Sequence, residues 1–124
     1  LSISRWGFSR RSRLVKSSEY QSVFDNKAQR LLGRGLTILA RCNRLDYARI
    51  GIVVSSRVAR RAVARNRIKR IVRESFRLQQ AQLKGWDVVV IARPGVVKQA
   101  NKELFASLEG QWKKLEQCAR SSSI

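Results

Sequence analysis

The run from Ala64 to Leu78 constrains this chain more than any other stretch. At 100° per residue, Ile68, Ile71, Val72, Ser75, Phe76, Gln79 and Leu83 fall on one side of a helix. Asn66, Arg70, Arg73 and Arg77 project from the opposite side, with Arg65 and Lys69 at the flanks. The spacing predicts a helix anchored in a core along one stripe and presenting guanidinium groups along the other. Arginine makes bidentate hydrogen bonds to phosphate and stacks on bases, so such a face suits nucleic acid. A merely solvated helix surface usually mixes both signs of charge to limit self-repulsion. Here Glu74 is the sole acid in the window.

The rest of the chain points the same way. It carries 27 Lys and Arg against 8 Asp and Glu, a formal net charge of +19. A compact domain with that charge repels itself, and a polyanion relieves the repulsion. Nucleic acid is the first candidate and an anionic membrane surface the second. The basic face lacks the bulky apolar border of a membrane-surface helix, so no membrane partner is expected. No apolar stretch approaches the ~18–20 residues of a transmembrane helix, and no signal-peptide pattern opens the chain; a cytoplasmic location is expected. With 124 residues, 44% of them hydrophobic, residues 1–124 are expected to form one domain with a modest core. Residues 1–12 are basic, weakly patterned and expected to be mobile until something binds them.

The residues that usually do chemistry are scarce. There is no His, which removes the commonest general base and the commonest metal ligand. Cys42 and Cys118 match no metal-ligand spacing and read as reduced thiols. The acids, Glu19, Asp25, Asp46, Glu74, Asp87, Glu103, Glu109 and Glu116, are scattered, with no close pair to hold two Mg²⁺ ions. No catalytic residue and no metal-ligand set is therefore assigned to this chain. The pattern argues against a nuclease that works as protein alone.

Along the chain, Ser17 or Ser18 suits the N-cap of a short helix over residues 19–24, whose Tyr20, Val23 and Phe24 share a face. Residues 25–35 read as a polar, Gly-containing loop. Leu36–Cys42 alternates loosely and predicts a strand, and 48–54 a second, with the turn 43–46 making them an antiparallel hairpin. Ser55 and Ser56 offer caps for the basic helix, which is expected to run to about Lys84 and stop at Gly85. The apolar run Val88–Ala92 predicts a central strand, and Arg93-Pro94-Gly95 a break. Asn101 is expected to cap a final helix whose Leu104, Phe105, Leu108, Trp112 and Leu115 form a core stripe. The order α-β-β-α-β-α predicts an α+β fold, a two-layer sandwich of helices on a small mixed sheet. General crossover rules favour a right-handed connection through the basic helix.

Arg65-Asn66-Arg67-Ile68-Lys69-Arg70 matches the "RNR" signature of a known family, and Arg73-Glu74-Ser75-Phe76-Arg77 continues it. Upstream, Ser12-Arg13-Leu14 followed by Tyr20 and Val23-Phe24 fits the family's N-terminal pattern. Gly51-Ile52-Val53-Val54 and the segment from Trp86 to Arg93 fit its strands on either side of the helix. In these motifs, spanning roughly Arg13 to Trp112, the chain resembles the protein component of bacterial ribonuclease P, the small basic subunit of a ribozyme that trims precursor tRNA. The resemblance implies a left-handed β-α-β crossover instead of the usual hand. It implies that Arg57, Arg60, Arg61, Arg65, Asn66, Arg67, Lys69, Arg70 and Arg73 bind the catalytic RNA. It also implies a cleft between the first helix and the sheet for the 5′ leader of precursor tRNA, with Tyr20, Phe24 and Arg13 as leader contacts. The residues alone favour core packing for Tyr20 and Phe24; the resemblance brings the two readings level, with Tyr20 the better leader contact. Partners are then ribonuclease P RNA, bound 1:1, and precursor tRNA, with no obligate protein partner; Mg²⁺ would be held by the RNA and substrate phosphates. Two departures stand out: Ser55-Ser56-Arg57 where many members carry a Lys-Lys pair, and no aromatic residue at Ile38–Leu39. A ribosomal-type structural RNA-binding protein would share the charge and size.

Overall fold

Trp86–Ala92 is the strand around which the molecule is built. In the computed structural model, which describes Arg13 and residues 29–33 and 35–122, its Val88, Val89 and Val90 are wholly buried. A strand apolar on both faces needs neighbours on both edges and cover on both sides. The strands are β1 (Gln29–Leu32), β2 (Leu36–Cys42), β3 (Arg49–Val53) and β4 (Trp86–Ala92), and the helices α1 (Ala62–Gln79) and α2 (Asn101–Ser122). The sheet order is β1-β2-β4-β3. β2 pairs antiparallel with β1 and with β4, and β3 pairs parallel with β4. The mixed sheet and α+β class agree with the sequence reading.

The expected hairpin between β2 and β3 does not form. β4 lies between them, in register from Leu36↔Ala92 to Cys42↔Trp86 on one side and from Arg49↔Asp87 to Val53↔Ile91 on the other. The reason is burial: the most apolar strand takes the centre, and the 43–48 connection must step across it. That step is fixed by backbone bonds to the residue just before β4, Asn43 N–H to Gly85 O at 2.7 Å and Gly85 N–H to Tyr47 O at 3.4 Å. Nor are residues 25–35 wholly a loop, since Gln29–Leu32 pairs with β2 as an edge strand. Its Leu32 is 70% exposed, so the alternation that marks a strand is missing. The helix expected over residues 19–24 and the mobile N-terminal segment lie outside the described residues.

One face of the sheet carries both described helices. Leu36, Ile38, Ala40, Ile50, Val88 and Val90 form a single core with Ile68, Ile71, Val72 and Phe76 of α1 and Leu104, Leu108, Trp112 and Leu115 of α2. Both helical stripes are thus buried as their spacing predicts, apart from Gln79 and Phe105, which are half-buried. Each fully buried Leu, Ile or Phe contributes about 1.5–3 kcal/mol. Ser75 belongs to the stripe because its hydroxyl accepts a buried hydrogen bond from Trp112 Nε1 at 2.9 Å. Phe76 meets the same indole edge to face, with centroids 6.0 Å apart.

Helix ends differ from expectation. Ser55 does not cap α1; it closes the preceding turn, accepting from Val58 N–H and Ala59 N–H. α1 begins after Arg61 with no side-chain cap and no acid in its first turn. It yields at Gln80 to a 3-10 turn over Gln80–Leu83, earlier than predicted, yet Leu83 is still buried. Gly85, at φ 85°, supplies the left-handed turn into β4. At α2, Asn101 is already helical; Glu103 instead accepts from the Ala100 N–H at 2.9 Å, the returning half of a capping box.

Candidate nucleic-acid interface

The outward ridge of α1 and the turn before it form a continuous cationic surface. Arg57, Arg60 and Arg61 are exposed in residues 54–61, and Asn66, Arg70 and Arg73 are exposed along the helix. Lys69 is half-buried on the flank. The uncapped start of α1 adds backbone N–H groups and the positive end of the helix dipole beside Arg60 and Arg61. That combination attracts phosphate.

Two arginines of the motif face inward. Arg65 Nη1 donates to the carbonyl oxygens of Ala59 and Arg60, both at 2.9 Å, and so ties the basic turn to the first helical turn. Arg67 donates to Gln99 O at 3.3 Å, Val97 O at 3.2 Å and the Asn101 side chain, and so ties α1 to the start of α2. Charged donors on carbonyls are the stronger hydrogen bonds. The motif is therefore divided: its flanking arginines brace the frame, and Asn66, Arg70 and Arg73 are presented by it. Sequence periodicity placed Arg65 on a flank but gave no sign that these two guanidiniums would find carbonyls nearby in space.

On the same ridge, Glu74 takes a bidentate hydrogen bond from Arg77 Nε and Nη2. That hydrogen bond holds the Glu74 carboxyl below its ordinary value, and it raises the guanidinium in turn. Arg77, read from periodicity as part of the outward cationic row, is thus partly neutralised.

The other face of the sheet presents Thr37, Leu39 and Arg41 on β2, Val89 and Ile91 on β4, and Val53 on β3. Val89 is wholly buried there beneath Leu39 and Ile91. Arg93 Nε donates to Thr37 Oγ1 at 3.2 Å across the end of β2 and β4. Arg13 is exposed and forms an isolated parallel bridge with Ile50 at the outer edge of β3. Tyr20 and Phe24 lie outside the described residues, so of the three leader contacts that the resemblance implies only Arg13 is described.

Sequence reasoning missed one polar network. Asp87, on the central strand, is 4% exposed and accepts from Arg49 Nε at 2.8 Å, Arg49 Nη2 at 2.6 Å and Asn43 Nδ2 at 2.8 Å. The signal was available: a lone carboxylate in a run of valines demands a buried cation or donors. Among the described residues, no three His, Cys, Asp or Glu side chains gather where they could hold a metal. No helix there is long and apolar enough to cross a membrane.

Comparison with known proteins decides the family. The family model described as Ribonuclease P matches residues 8–116. The chain belongs to the ribonuclease P protein family. It is 47% identical over 122 residues to the ribonuclease P protein component of Chromohalobacter salexigens, covering 98% of this chain and 95% of that protein. It is 44% identical over 109 residues to that of Ectopseudomonas mendocina, covering 88% and 81%. Among solved structures, a Staphylococcus aureus RNase P protein mutant with defective mRNA degradation activity superposes with a TM-score of 0.77 at 30% identity, covering 84% of this chain and 87% of that one. The Thermotoga maritima RNase P protein in complex with 1-(4-fluorophenyl)-2-thiourea gives 0.73 at 32% identity, covering 82% and 97%. The resemblance read from the RNR run thus holds across nearly the whole chain.

Proposed function

We propose that this chain is the RNA-binding protein subunit of a ribonuclease P holoenzyme. In this reading it binds one copy of the catalytic RNA through α1 and the turn before it. It also grips the single-stranded 5′ leader of precursor tRNA through Tyr20, Phe24 and Arg13. Endonucleolytic hydrolysis at the mature 5′ end belongs to the RNA, in the cytoplasm. The observation that carries the reading is the exposed, almost acid-free row Asn66, Arg70 and Arg73 beside an uncapped helix start, in a chain of this family.

Among the described residues no cluster of carboxylates could hold Mg²⁺, and Asp87 and Glu74 are already taken up, the first by Arg49 and Asn43 and the second by Arg77. The metal ions that the reaction needs are therefore assigned to RNA and substrate phosphates, and no step runs through this chain's acids. What the protein supplies is cation density that relieves phosphate crowding, plus aromatic rings. Rings stack on splayed bases without demanding a sequence, which suits leaders that differ between tRNAs.

Binding to ribonuclease P RNA across a salt series tests the first part. Some six to ten phosphate contacts would cost about 10³–10⁵-fold in affinity between 50 and 200 mM salt. A flat response would remove α1 as the interface. For the second part, Tyr20→Ala is expected to weaken leader-bearing substrates and spare leaderless tRNA, whereas equal losses for both would make Tyr20 a core residue.

A further inference from the structure

At the far end of α1 from the RNR run lies an open cavity of about 400 Å³. Its walls come from two segments distant in sequence: Asp46 and Tyr47 after β2, and the stretch from Arg77 and Leu78 at the end of α1 to Ala81 and Lys84 just beyond it. Leu78 is 60% exposed, an unusual place for a large apolar side chain on so polar a helix. The cavity combines an aromatic residue, an exposed aliphatic wall and two cations, all reachable from solvent.

Its floor is built instead of incidental. The 43–47 turn is pinned by Leu45 N–H to Asn43 Oδ1 at 2.8 Å, Asn43 Nδ2 to Tyr47 O at 3.2 Å and Asn43 Nδ2 to the buried Asp87 at 2.8 Å. It is held tightly enough to keep Arg44 at φ 61°, a region costly for a side chain with Cβ. On the opposite wall, Arg77 is fixed by Glu74 through Nε and Nη2, which leaves Nη1 to donate to a ligand.

The cavity also continues the proposed interface. Arg70, Arg73 and Arg77 follow one another at spacings of three and four, so they form one row along α1 that ends at the cavity mouth. From these observations we infer that the cavity receives an unpaired nucleotide of the RNA lying along α1. Its base packs against Tyr47 and Leu78, and its phosphates meet Lys84 and Arg77 Nη1. Asp46, the one acid in the wall, accepts from an exocyclic amino group and so disfavours uracil. The inference rests on the reading of this chain as an RNA-binding subunit and adds a second, base-contacting anchor to its phosphate-contacting ridge.

The test uses the reconstituted holoenzyme. Cys42 and Cys118 are replaced by serine, and a hydroxyl-radical source is tethered at Ala81→Cys, with a parallel tether at Lys69→Cys. Cuts from Ala81→Cys confined to a few consecutive nucleotides, including an unpaired one, are expected. Leu78→Ala combined with Lys84→Ala is expected to lower RNA affinity about 5- to 100-fold, as loss of one stacked base would, with an unchanged melting temperature. Tyr47→Phe, which keeps the ring, is expected to bind as the parent does. Absence of cuts from Ala81→Cys while Lys69→Cys cuts, or parent-like affinity of the folded double variant, overturns the inference. If Arg70→Ala with Arg73→Ala also leaves RNA affinity unchanged, the RNA-subunit reading itself has failed, and the cavity proposal falls with it.

Discussion

Side chains of one type, a few residues apart on one helix, divide between frame and surface. Arg67 reaches two carbonyls and the Asn101 side chain, whereas Arg70 and Arg73 are exposed. Arg67→Ala is therefore expected to cost about 2 kcal/mol in chemical denaturation, the scale of a lost set of charged hydrogen bonds. Arg70→Ala with Arg73→Ala should leave the denaturation midpoint nearly unmoved and flatten the salt dependence of RNA binding by about one to two in slope. The reverse pattern would mean that the frame and surface assignments are exchanged. Glu74 gives a pH-dependent counterpart. Its folded carboxyl titrates below its ordinary value because Arg77 donates to it. The stability it contributes is thus complete above the unfolded value of about 4.3 and is lost as pH falls through the folded value. Because the pair is partly exposed and screened, the effect is small. Glu74→Gln should therefore lower the melting temperature slightly near neutrality, and the difference from the parent should shrink as pH falls from about 5 to 3; a difference that stays constant across that range would contradict the pairing.

At the scale of elements, legibility followed the strength of the local pattern. α1 and α2 were readable because Ile68, Ile71, Val72, Ser75 and Phe76, and Leu104, Leu108, Trp112 and Leu115, each make one unbroken stripe. β4 was readable from its valines alone. What was not readable was pairing: nothing within 36–54 says that a strand some thirty residues later will separate β2 from β3. β1 escaped notice because an edge strand with exposed side chains has no burial period. Helix ends were misread for a related reason, since Ser55 and Asn101 are sound caps by type but found other partners in space. In the interface, the cationic row was legible, while the bracing roles of Arg65 and Arg67 and the Asp87 network depend on contacts that only folding creates. Turns offer a clean test of how tightly the elements dock. Gly35 and Gly95 both have positive φ, so alanine strains each backbone similarly. A Cβ on Gly35 would also lie 3.2 Å from Val96 Cα and 2.6 Å from Gln99 Nε2, whereas one on Gly95 meets nothing within 4 Å. Gly35→Ala should therefore be the more destabilising by about 1–3 kcal/mol, the cost of overpacking. Equal costs in denaturation would mean that the β1–β2 turn does not pack on the 96–99 segment as described.

For the molecule as a whole, a charge of +19 on 124 residues is a liability that a polyanion turns into affinity. The fold answers it by gathering apolar groups from both helices on one side of the sheet and leaving the α1 ridge to solvent. The central claim is that this surface serves an RNA catalyst and performs no cleavage itself. It is tested most directly by 5′ cleavage of a precursor tRNA by bacterial ribonuclease P RNA at low Mg²⁺, with the protein, without it, and with the protein alone. The account predicts that adding the protein restores cleavage the RNA cannot sustain at that Mg²⁺ concentration, while the protein-only reaction stays silent. Cleavage by the protein alone, or no stimulation of a cognate RNA, would contradict it.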